Sequence, residues 1–179
     1  MLRFFRSISC LLFVVIAANA VLAQSQYSPE TPANTNNIKF TDLKDHAFEL
    51  QSLKGNVLLI SFGATWCAPC SSELKALEEL QREYKNRSVK FLWVSIDSPR
   101  EVSNKEINDY AKKIGFTFPI LRDLETRVYS QFTSRTRLPM IVFADSKGDV
   151  IKPIHFGMFS NPEDYKSHIR KRLNKILED

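Results

Sequence analysis

Cysteine and histidine are both scarce in this sequence, whose 179 residues include three of each. A structural zinc site needs four ligands, commonly two Cys-x-x-Cys pairs or one pair with closely spaced histidines. The chain has one such pair, Cys67 and Cys70, and its histidines are scattered, which argues against structural zinc. A disulfide within this pair would close almost no loop and would add little stability as a cross-link. The pair is therefore better suited to chemistry than to stapling the chain.

Long runs of positive charge are also missing. The formal charge is +5 at pH 7, and the basic residues are spread along the chain. Nucleic acids and anionic membrane surfaces bind clustered lysine and arginine. We therefore predict neither of them as a partner. The length of the chain suits one domain with a buried core.

The third absence is an apolar run of membrane-spanning length. A helix needs about 20 apolar residues to cross a bilayer, and the apolar block over residues 10–18 is shorter. Arg3 and Arg6 precede this block, and small residues ending at Ala23 follow it, which is typical of a secretory signal peptide. We predict that residues 1–23 are a cleaved signal peptide and that the protein is periplasmic, with an uncleaved membrane anchor as the alternative.

The remaining chain divides into two regions. Residues 24–37 carry Ser, Pro, Thr and Asn with almost no apolar side chains, which predicts a flexible leader. Residues 38–179 contain all the patterned segments and are predicted to form one domain. This domain begins with a short β-hairpin over residues 38–50.

The centre of the domain is a strand followed by a helix. Residues 57–62 form a nearly continuous apolar run, as expected of a strand buried on both faces of its sheet. Apolar residues then recur at helical spacing over residues 68–85, and residues 89–96 predict the next strand. Together these segments predict a strand, a crossover helix and a parallel strand, with the cysteine pair where the helix begins.

The second half of the domain alternates between helices and strands. The pattern predicts a helix that includes Ile107 and stops at Gly115, a short apolar segment over residues 116–121, and a second short helix marked by Leu124, Val128 and Phe132. A hairpin over residues 140–143 and 150–156 and a C-terminal helix over residues 161–177 follow. Pro153 predicts that the last strand lies at an edge or contains a bulge.

The position of the cysteines assigns them different roles. A thiol at a helix N-terminus meets unpaired N–H groups and the positive end of the helix dipole, which favours its thiolate. We therefore predict Cys67, exposed at the tip, as the attacking thiol and Cys70, one turn further on, as the resolving thiol. Pro69 stiffens the first turn, and Trp66 is predicted to shield the disulfide as an apolar lid.

Other polar residues near the motif are ambiguous from the sequence alone. Glu73 lies about one turn beyond Cys70, where it could move protons for the resolving thiol or be a solvated surface residue. Glu78 and Glu79 are predicted to be solvated. Asp97 is predicted to cap a loop and His155 to be structural.

The order of apolar strand, Trp66-Cys67-Ala68-Pro69-Cys70 and amphipathic helix resembles the thioredoxin fold, and in particular the exported thioredoxin-like proteins of the TlpA/ResA/CcmG type. The resemblance implies an α/β thioredoxin fold, in which helices flank a central mixed sheet, with an N-terminal β-hairpin and a central insertion. It also implies a functional role for Glu73, at the offset where these proteins carry such a glutamate. Spacing alone favours an ordinary trans proline at Pro139, whereas the resemblance implies a cis proline facing the cysteines, with Leu138 binding the incoming peptide.

The function that this resemblance implies is that of a periplasmic thiol-disulfide oxidoreductase. Reduction of protein disulfides is expected, and apocytochrome c or copper-site cysteines are the clients of such relatives. The expected partners are a cysteine-containing client protein and a membrane thiol-disulfide reductase as electron donor, with no cofactor and a monomeric state. The alternative is a module that binds or delivers Cu(I) through the same two cysteines. A peroxidase of the peroxiredoxin type ranks last, because its Thr-x-x-Cys frame does not match Thr65-Trp66-Cys67.

Overall fold

The computed structural model describes residues 31–178, which form a seven-stranded mixed sheet with helices packed on it. The strands are β1 (Lys39–Asp42), β2 (Ala47–Glu49), β3 (Val57–Gly63), β4 (Val89–Ser95), β5 (Ile120–Arg122), β6 (Met140–Ala144) and β7 (Val150–Phe156). Their order across the sheet is β2-β1-β5-β4-β3-β6-β7. Within residues 31–178, no helix combines the length and the apolar character that crossing a membrane would require. The predicted signal peptide, residues 1–23, lies outside the described residues.

β3 is the central strand, as its apolar sequence predicts. Every one of its residues is buried, and it pairs in parallel with β4 and antiparallel with β6. In the β3–β4 register Ser61 lies opposite Trp93, and Gly63 lies opposite Ser95. The cysteine motif thus begins directly after the C-terminal end of this central strand.

Within residues 31–178 three α-helices alternate with the strands: α1 (Ala68–Glu83) follows β3, α2 (Asn104–Ile114) follows β4, and α3 (Pro162–Glu178) follows β7. Helix α2 begins with a capping box, in which Ser103 Oγ accepts from the Glu106 N–H and Glu106 accepts from the Ser103 N–H. It ends at Gly115, whose φ of 87° is left-handed. The predicted end of this helix at Gly115 is therefore confirmed.

The sheet separates two apolar cores. One core contains the buried faces of α1, α2 and α3 together with Trp93 and its aromatic neighbours. The other contains residues of the N-terminal hairpin, Phe62 of β3, and Tyr129 and Phe132 of the segment before β6. The alternation of side chains along β3 assigns Leu59 to the first core and Leu58 and Ile60 to the second.

The prediction of a second short helix around Leu124, Val128 and Phe132 is wrong. The structure has two separate 3-10 turns instead, Leu124–Thr126 and Tyr129–Gln131. Glu125 and Thr126 take positive φ angles of 58° and 54°, which interrupts helical geometry. The buried carboxylate of Asp123 accepts hydrogen bonds from the N–H groups of Val128 and Tyr129 and so fixes this broken path.

The last strand agrees with its sequence pattern. β7 is an edge strand, as Pro153 predicts, and its pairing with β6 is irregular between Ile141 and Phe143. The Lys152–Pro153 peptide bond is cis. Proline is tolerated here because an edge strand has one side that makes no ladder hydrogen bonds.

Ordered pairing begins before Ile38, within the predicted leader. The Thr35 N–H donates to the Gly148 carbonyl at 2.7 Å, and the Val150 N–H donates to the Ala33 carbonyl at 2.9 Å. The Thr35 hydroxyl, which is buried, also donates to the Gly148 carbonyl. Residues 33–36 are therefore hydrogen-bonded to the turn between β6 and β7, and the prediction of a flexible leader does not hold for this part.

Candidate active site

The cysteine pair lies at the junction between β3 and α1. Cys67 is the N-cap residue of α1, and Pro69 lies in its first turn. Proline is favoured at this position because its missing N–H would have no partner inside the helix. The Cys67 side chain makes no capping hydrogen bond, and the Cys70 N–H donates to the Cys67 carbonyl at 3.1 Å. Because Cys67 is the N-cap residue, its sulfur lies at the positive end of the helix dipole.

Cys67 and Cys70 form a disulfide, as the sequence predicts, with an S–S distance of 2.01 Å and a Cα–Cα distance of 5.3 Å. The prediction that Cys67 is exposed is wrong, because only 6% of its surface is accessible. Ala64 and the partly buried side chains of Ile96 and Leu138 pack against the pair. Cys70 has no accessible surface. Cys67 is thus the more accessible of the two residues, as its assigned role requires.

Trp66 is largely exposed to solvent, with 63% of its surface accessible. The partly buried side chains of Ile96 and Leu138 pack against the disulfide, whereas the lid role of Trp66 stays a prediction. The result is a large apolar surface in solvent directly beside the more accessible cysteine.

The loop that carries Thr65 is fixed by the buried carboxylate of Asp97. This carboxylate accepts hydrogen bonds from the Thr65 N–H at 3.0 Å and from the Thr65 hydroxyl at 2.9 Å. The Ser95 hydroxyl donates to the same carboxylate at 2.8 Å, and Arg122 Nη2 donates to the Asp97 carbonyl at 3.0 Å. The predicted capping role of Asp97 is confirmed, and it ties the end of β4 to the loop before α1.

The peptide bond between Leu138 and Pro139 is cis, as the family resemblance implies. Pro139 immediately precedes β6, and its carbonyl accepts a hydrogen bond from the Gly157 N–H at 2.8 Å. Leu138 packs against the cysteine pair. The fold thus brings together two segments that are far apart in the sequence, residues 67–70 and residues 138–139.

Glu73 is fully buried and is not a solvated helix residue. Its two carboxylate oxygens accept hydrogen bonds from the Ser61 hydroxyl at 2.7 Å and from the Tyr165 hydroxyl at 2.8 Å. Burial raises the pKa of Glu73 to about 7, and the two donors only partly oppose this shift. The site therefore contains a carboxylic acid that exchanges its proton near neutral pH, one turn beyond Cys70.

His155 lies beside this cluster but does not contact Glu73 through a hydrogen bond in the described chain. Its Nε2 lies 3.0 Å from the Gly157 carbonyl oxygen, and its ring centre is 5.6 Å from that of Tyr165. Burial lowers the pKa of His155. Burial and the neighbouring Glu73 raise the pKa of Tyr165 well above its usual value. His155 is thus a neutral packing residue, in agreement with the structural role predicted for it.

Comparison with known proteins places this site in a family. The model of the AhpC/TSA family matches residues 31–153. The chain belongs to the AhpC/TSA family. Its sequence is 32% identical over 129 residues to the thiol-disulfide oxidoreductase ResA of Geobacillus kaustophilus, covering 72% of this chain and 70% of that protein. It is 36% identical over 115 residues to the thioredoxin-like protein YneN of Bacillus subtilis, covering 64% of each chain.

The solved structures that resemble this AhpC/TSA family member share its fold. One is the thiol:disulfide interchange protein, a thioredoxin family protein, from Chlorobium tepidum, with a TM-score of 0.65 and 21% identity. The match covers 82% of this chain and 97% of that one. The predicted thioredoxin fold is confirmed, and the protein is a thiol-disulfide oxidoreductase of this family.

The structure adds three residues to the site that the sequence analysis did not select. Ser61 and Tyr165 bind Glu73, and Trp93 adjoins Gly63 next to Cys70. Ser61 could have been noticed as the one hydroxyl inside an apolar strand. Tyr165 is far from Glu73 in the sequence, and its periodic spacing in α3 indicated only core packing.

Metal ligands are not assembled at this site in the described part of the chain. Within residues 31–178, no group of three or more His, Cys, Asp or Glu side chains is placed to hold a metal ion. The two cysteine sulfurs are the only soft ligands that the motif itself offers.

Proposed function

We propose that this protein reduces disulfides in exported client proteins by cycling Cys67 and Cys70 between dithiol and disulfide. The observation that carries this proposal is the arrangement at the N-terminus of α1. A more accessible cysteine lies beside a cis proline, and a fully buried cysteine lies one turn from a buried acid whose pKa is about 7. This arrangement supplies a nucleophile, a resolving thiol and a proton acceptor.

The reaction begins with the thiolate of Cys67. It attacks one sulfur of the client disulfide, so that a mixed disulfide forms and the other client sulfur leaves as a thiolate. The Cys70 thiolate then attacks the Cys67 sulfur. The Cys67–Cys70 disulfide forms, and the second client sulfur leaves. Two electrons pass to the client, and the two protons lost by the cysteines end on the client thiols.

Glu73 is proposed as the base for the second step. Cys70 is completely buried, so water does not readily take its proton, although only the thiolate can attack. Because the pKa of Glu73 is about 7, a large fraction of this carboxylate is ionised at neutral pH and can accept the proton. Ser61 and Tyr165 hold the carboxylate in place through hydrogen bonds.

The client is proposed to bind across Trp66, Leu138 and Pro139. Trp66 presents 63% of its surface to solvent, and aromatic side chains are favoured at protein interfaces. Leu138 is partly buried against the cysteines, and the backbone next to the cis Pro139 can pair with an extended client segment. Pro69 stiffens the turn between the two sulfurs.

The cellular setting is part of the same proposal. The predicted signal peptide supports a periplasmic location, where a membrane thiol-disulfide reductase would restore the dithiol. Apocytochrome c and copper-site cysteines are the proposed clients, and the protein is proposed to act as a monomer without a cofactor.

Trapping the mixed disulfide tests this proposal. Cys70→Ala removes the resolving sulfur, so Cys67 should stay covalently attached to its client, and the purified adduct identifies that client by mass spectrometry. Cys67→Ser is the matched control and should give no adduct and no reduction of a model protein disulfide. Failure of the Cys70→Ala protein to form an adduct, together with failure of the unchanged protein to reduce the model disulfide, would contradict the proposal.

The Cu(I) alternative uses the same two sulfurs without turnover. It predicts stoichiometric Cu(I) binding that persists against a competing chelator, combined with no disulfide reduction by the same preparation. Measuring both activities on one sample of the reduced protein separates the two functions.

A further inference from the structure

The indole N–H of Trp93 is a buried donor that the mechanism above does not use. Trp93 lies on β4 and has no accessible surface. Within residues 31–178, its Nε1 atom has no hydrogen-bond partner. Buried donors are almost always paired in folded proteins, so an unpaired one needs a physical explanation.

Gly63 lies next to both this donor and the Cys70 sulfur. A Cβ atom added to Gly63 would lie 2.7 Å from Trp93 Nε1 and 3.3 Å from Cys70 Sγ. The first distance is too short for a real side chain, so only glycine fits at this position. The indole nitrogen and the Cys70 sulfur therefore both lie beside the position that a side chain at residue 63 would occupy.

The charge on the Cys70 sulfur changes with the redox state of the cysteine pair. In the disulfide, the Cys70 sulfur is a weak hydrogen-bond acceptor. When a donor dithiol passes two electrons and two protons to the pair, the S–S bond breaks and Cys67 and Cys70 become free thiols. Once Cys70 loses its proton, its thiolate is a strong acceptor, and an N–H group facing a charged sulfur is strongly favoured.

We propose that Trp93 is a positioning residue that donates its indole N–H to the Cys70 sulfur after the disulfide opens. This inference deepens the proposed dithiol cycle and rests on it. Glu73 takes the proton from Cys70, and Trp93 stabilises the charge that remains. The Trp93 N–H, which is unpaired among the described residues in the disulfide form, thus gains the Cys70 thiolate as its acceptor in the reduced form.

The other titratable groups around Cys70 cannot take this role. Glu73 on α1 and Asp97 after β4 are carboxylates, which accept hydrogen bonds when ionised. The Tyr165 hydroxyl on α3 is already bonded to Glu73. Tyr110 on α2 stacks on Trp93 with ring centres 5.6 Å apart, and its hydroxyl also has no partner within the described residues. Tyr110 therefore serves as the matched control.

The first test measures the ionisation of Cys70 directly. Cys10→Ser and Cys67→Ser together leave Cys70 as the only cysteine, and its thiolate is followed by ultraviolet absorbance as the pH is raised. Adding Trp93→Phe should lower the thiolate fraction about tenfold at a pH below the thiol pKa, which corresponds to a rise of about one pKa unit. Adding Tyr110→Phe should leave the titration unchanged. An unchanged titration in Trp93→Phe, or an equal shift in Tyr110→Phe, would overturn the inference.

The second test needs no substitution at Trp93. The chain has two tryptophans, and the indole N–H of the buried Trp93 exchanges with solvent more slowly than that of the exposed Trp66. In the reduced protein, the Trp93 N–H resonance should move downfield over the pH range in which Cys70 ionises. In the oxidised protein that movement should be absent and only the titration of Glu73 should remain. The same pH profile in both redox states would refute the inference.

Neither measurement uses a client protein. A normal Cys70 titration in Trp93→Phe with intact disulfide reduction would reject the role of Trp93 alone. A shifted titration with no disulfide reduction by the unchanged protein would reject the proposed function instead.

Discussion

Glu73 shows how burial changes the chemistry of a single residue. Surrounded by the core, its carboxylate is less well solvated than in water, and the hydrogen bonds from Ser61 and Tyr165 do not fully replace that solvation. The folded chain therefore binds the Glu73 proton more tightly than the unfolded chain does. Below its ordinary pKa of 4.5, both states are protonated, and the folded state loses stability as the pH rises towards about 7.

We expect Glu73→Gln to remove this loss of stability. Glutamine is neutral at every pH and can still accept the hydrogen bond from Ser61. Relative to the unchanged protein, the variant should therefore gain about 3 kcal/mol of unfolding free energy between pH 4.5 and pH 7. Urea unfolding of both oxidised proteins at pH 5 and pH 8 measures this difference.

The control for Glu73→Gln is Glu101→Gln, which changes an exposed glutamate. This variant should follow the unchanged protein at both pH values. A constant difference between Glu73→Gln and the unchanged protein from pH 5 to pH 8 would show that Glu73 does not titrate in this range.

Helix α1 illustrates an effect at the scale of one element. The helical pattern predicts that Glu78 and Glu79 are solvated, but Glu78 is buried, with 5% of its surface accessible. Its carboxylate accepts hydrogen bonds from the Thr117 N–H at 2.8 Å and from the Thr117 hydroxyl. Glu78 thus joins α1 to the segment that leads into β5. Periodicity identified the helix but not the neighbour that would cover this side.

We expect Glu78→Ala to destabilise the protein by about 1–3 kcal/mol, because it removes the carboxylate that accepts the part-buried hydrogen bonds from the Thr117 N–H and hydroxyl. Glu79→Ala is the matched control on the adjacent position. Lys166 would still pair with Glu163 in that variant, so its stability should change by less than about 1 kcal/mol. Thermal and urea unfolding measure both values. Equal losses in the two variants would contradict the assigned role of Glu78.

At the scale of the whole molecule, the β6–β7 turn joins the N-terminal segment to the sheet. Gly148 in this turn has a φ of 93°, and a Cβ atom added there would lie 2.5 Å from Asn36 Oδ1. Gly55 has a similar φ of 90°, but nothing lies within 4 Å of its Cβ position. The two glycines therefore share the same backbone strain on substitution and differ in the contact with the N-terminal segment.

We expect Gly55→Ala to cost about 1 kcal/mol through its left-handed backbone, and Gly148→Ala to cost about 1 kcal/mol more through the clash with Asn36. The difference between the two unfolding free energies isolates the contribution of the N-terminal contact. Hydrogen exchange of the Thr35 N–H should accelerate in Gly148→Ala alone. Equal costs and equal exchange in the two variants would show that residues 33–36 do not stabilise the fold.

The sequence predicted the elements whose pattern is local. The apolar run of β3, the helical spacing of α1 and the end of α2 at Gly115 each depend on residues close together in the chain, and these predictions are confirmed. The segment between β5 and β6 was predicted less well. Its path depends on hydrogen bonds to the buried Asp123. No short-range sequence pattern predicts that a carboxylate will be buried by distant parts of the chain.

The sequence by itself determined the cysteine pair at the start of a helix, because this motif is formed by residues close together in the chain. The thioredoxin fold and the cis form of Pro139 were implied by the family resemblance of that motif, whereas spacing alone favoured a trans proline. Only the tertiary structure decided which groups surround the sulfurs. Leu138 packs against the disulfide, Tyr165 binds Glu73, and Trp93 and Cys70 both lie next to Gly63. Burial and the contacts between distant segments set the ionisation of Glu73, and both exist only after the sheet and helices have packed.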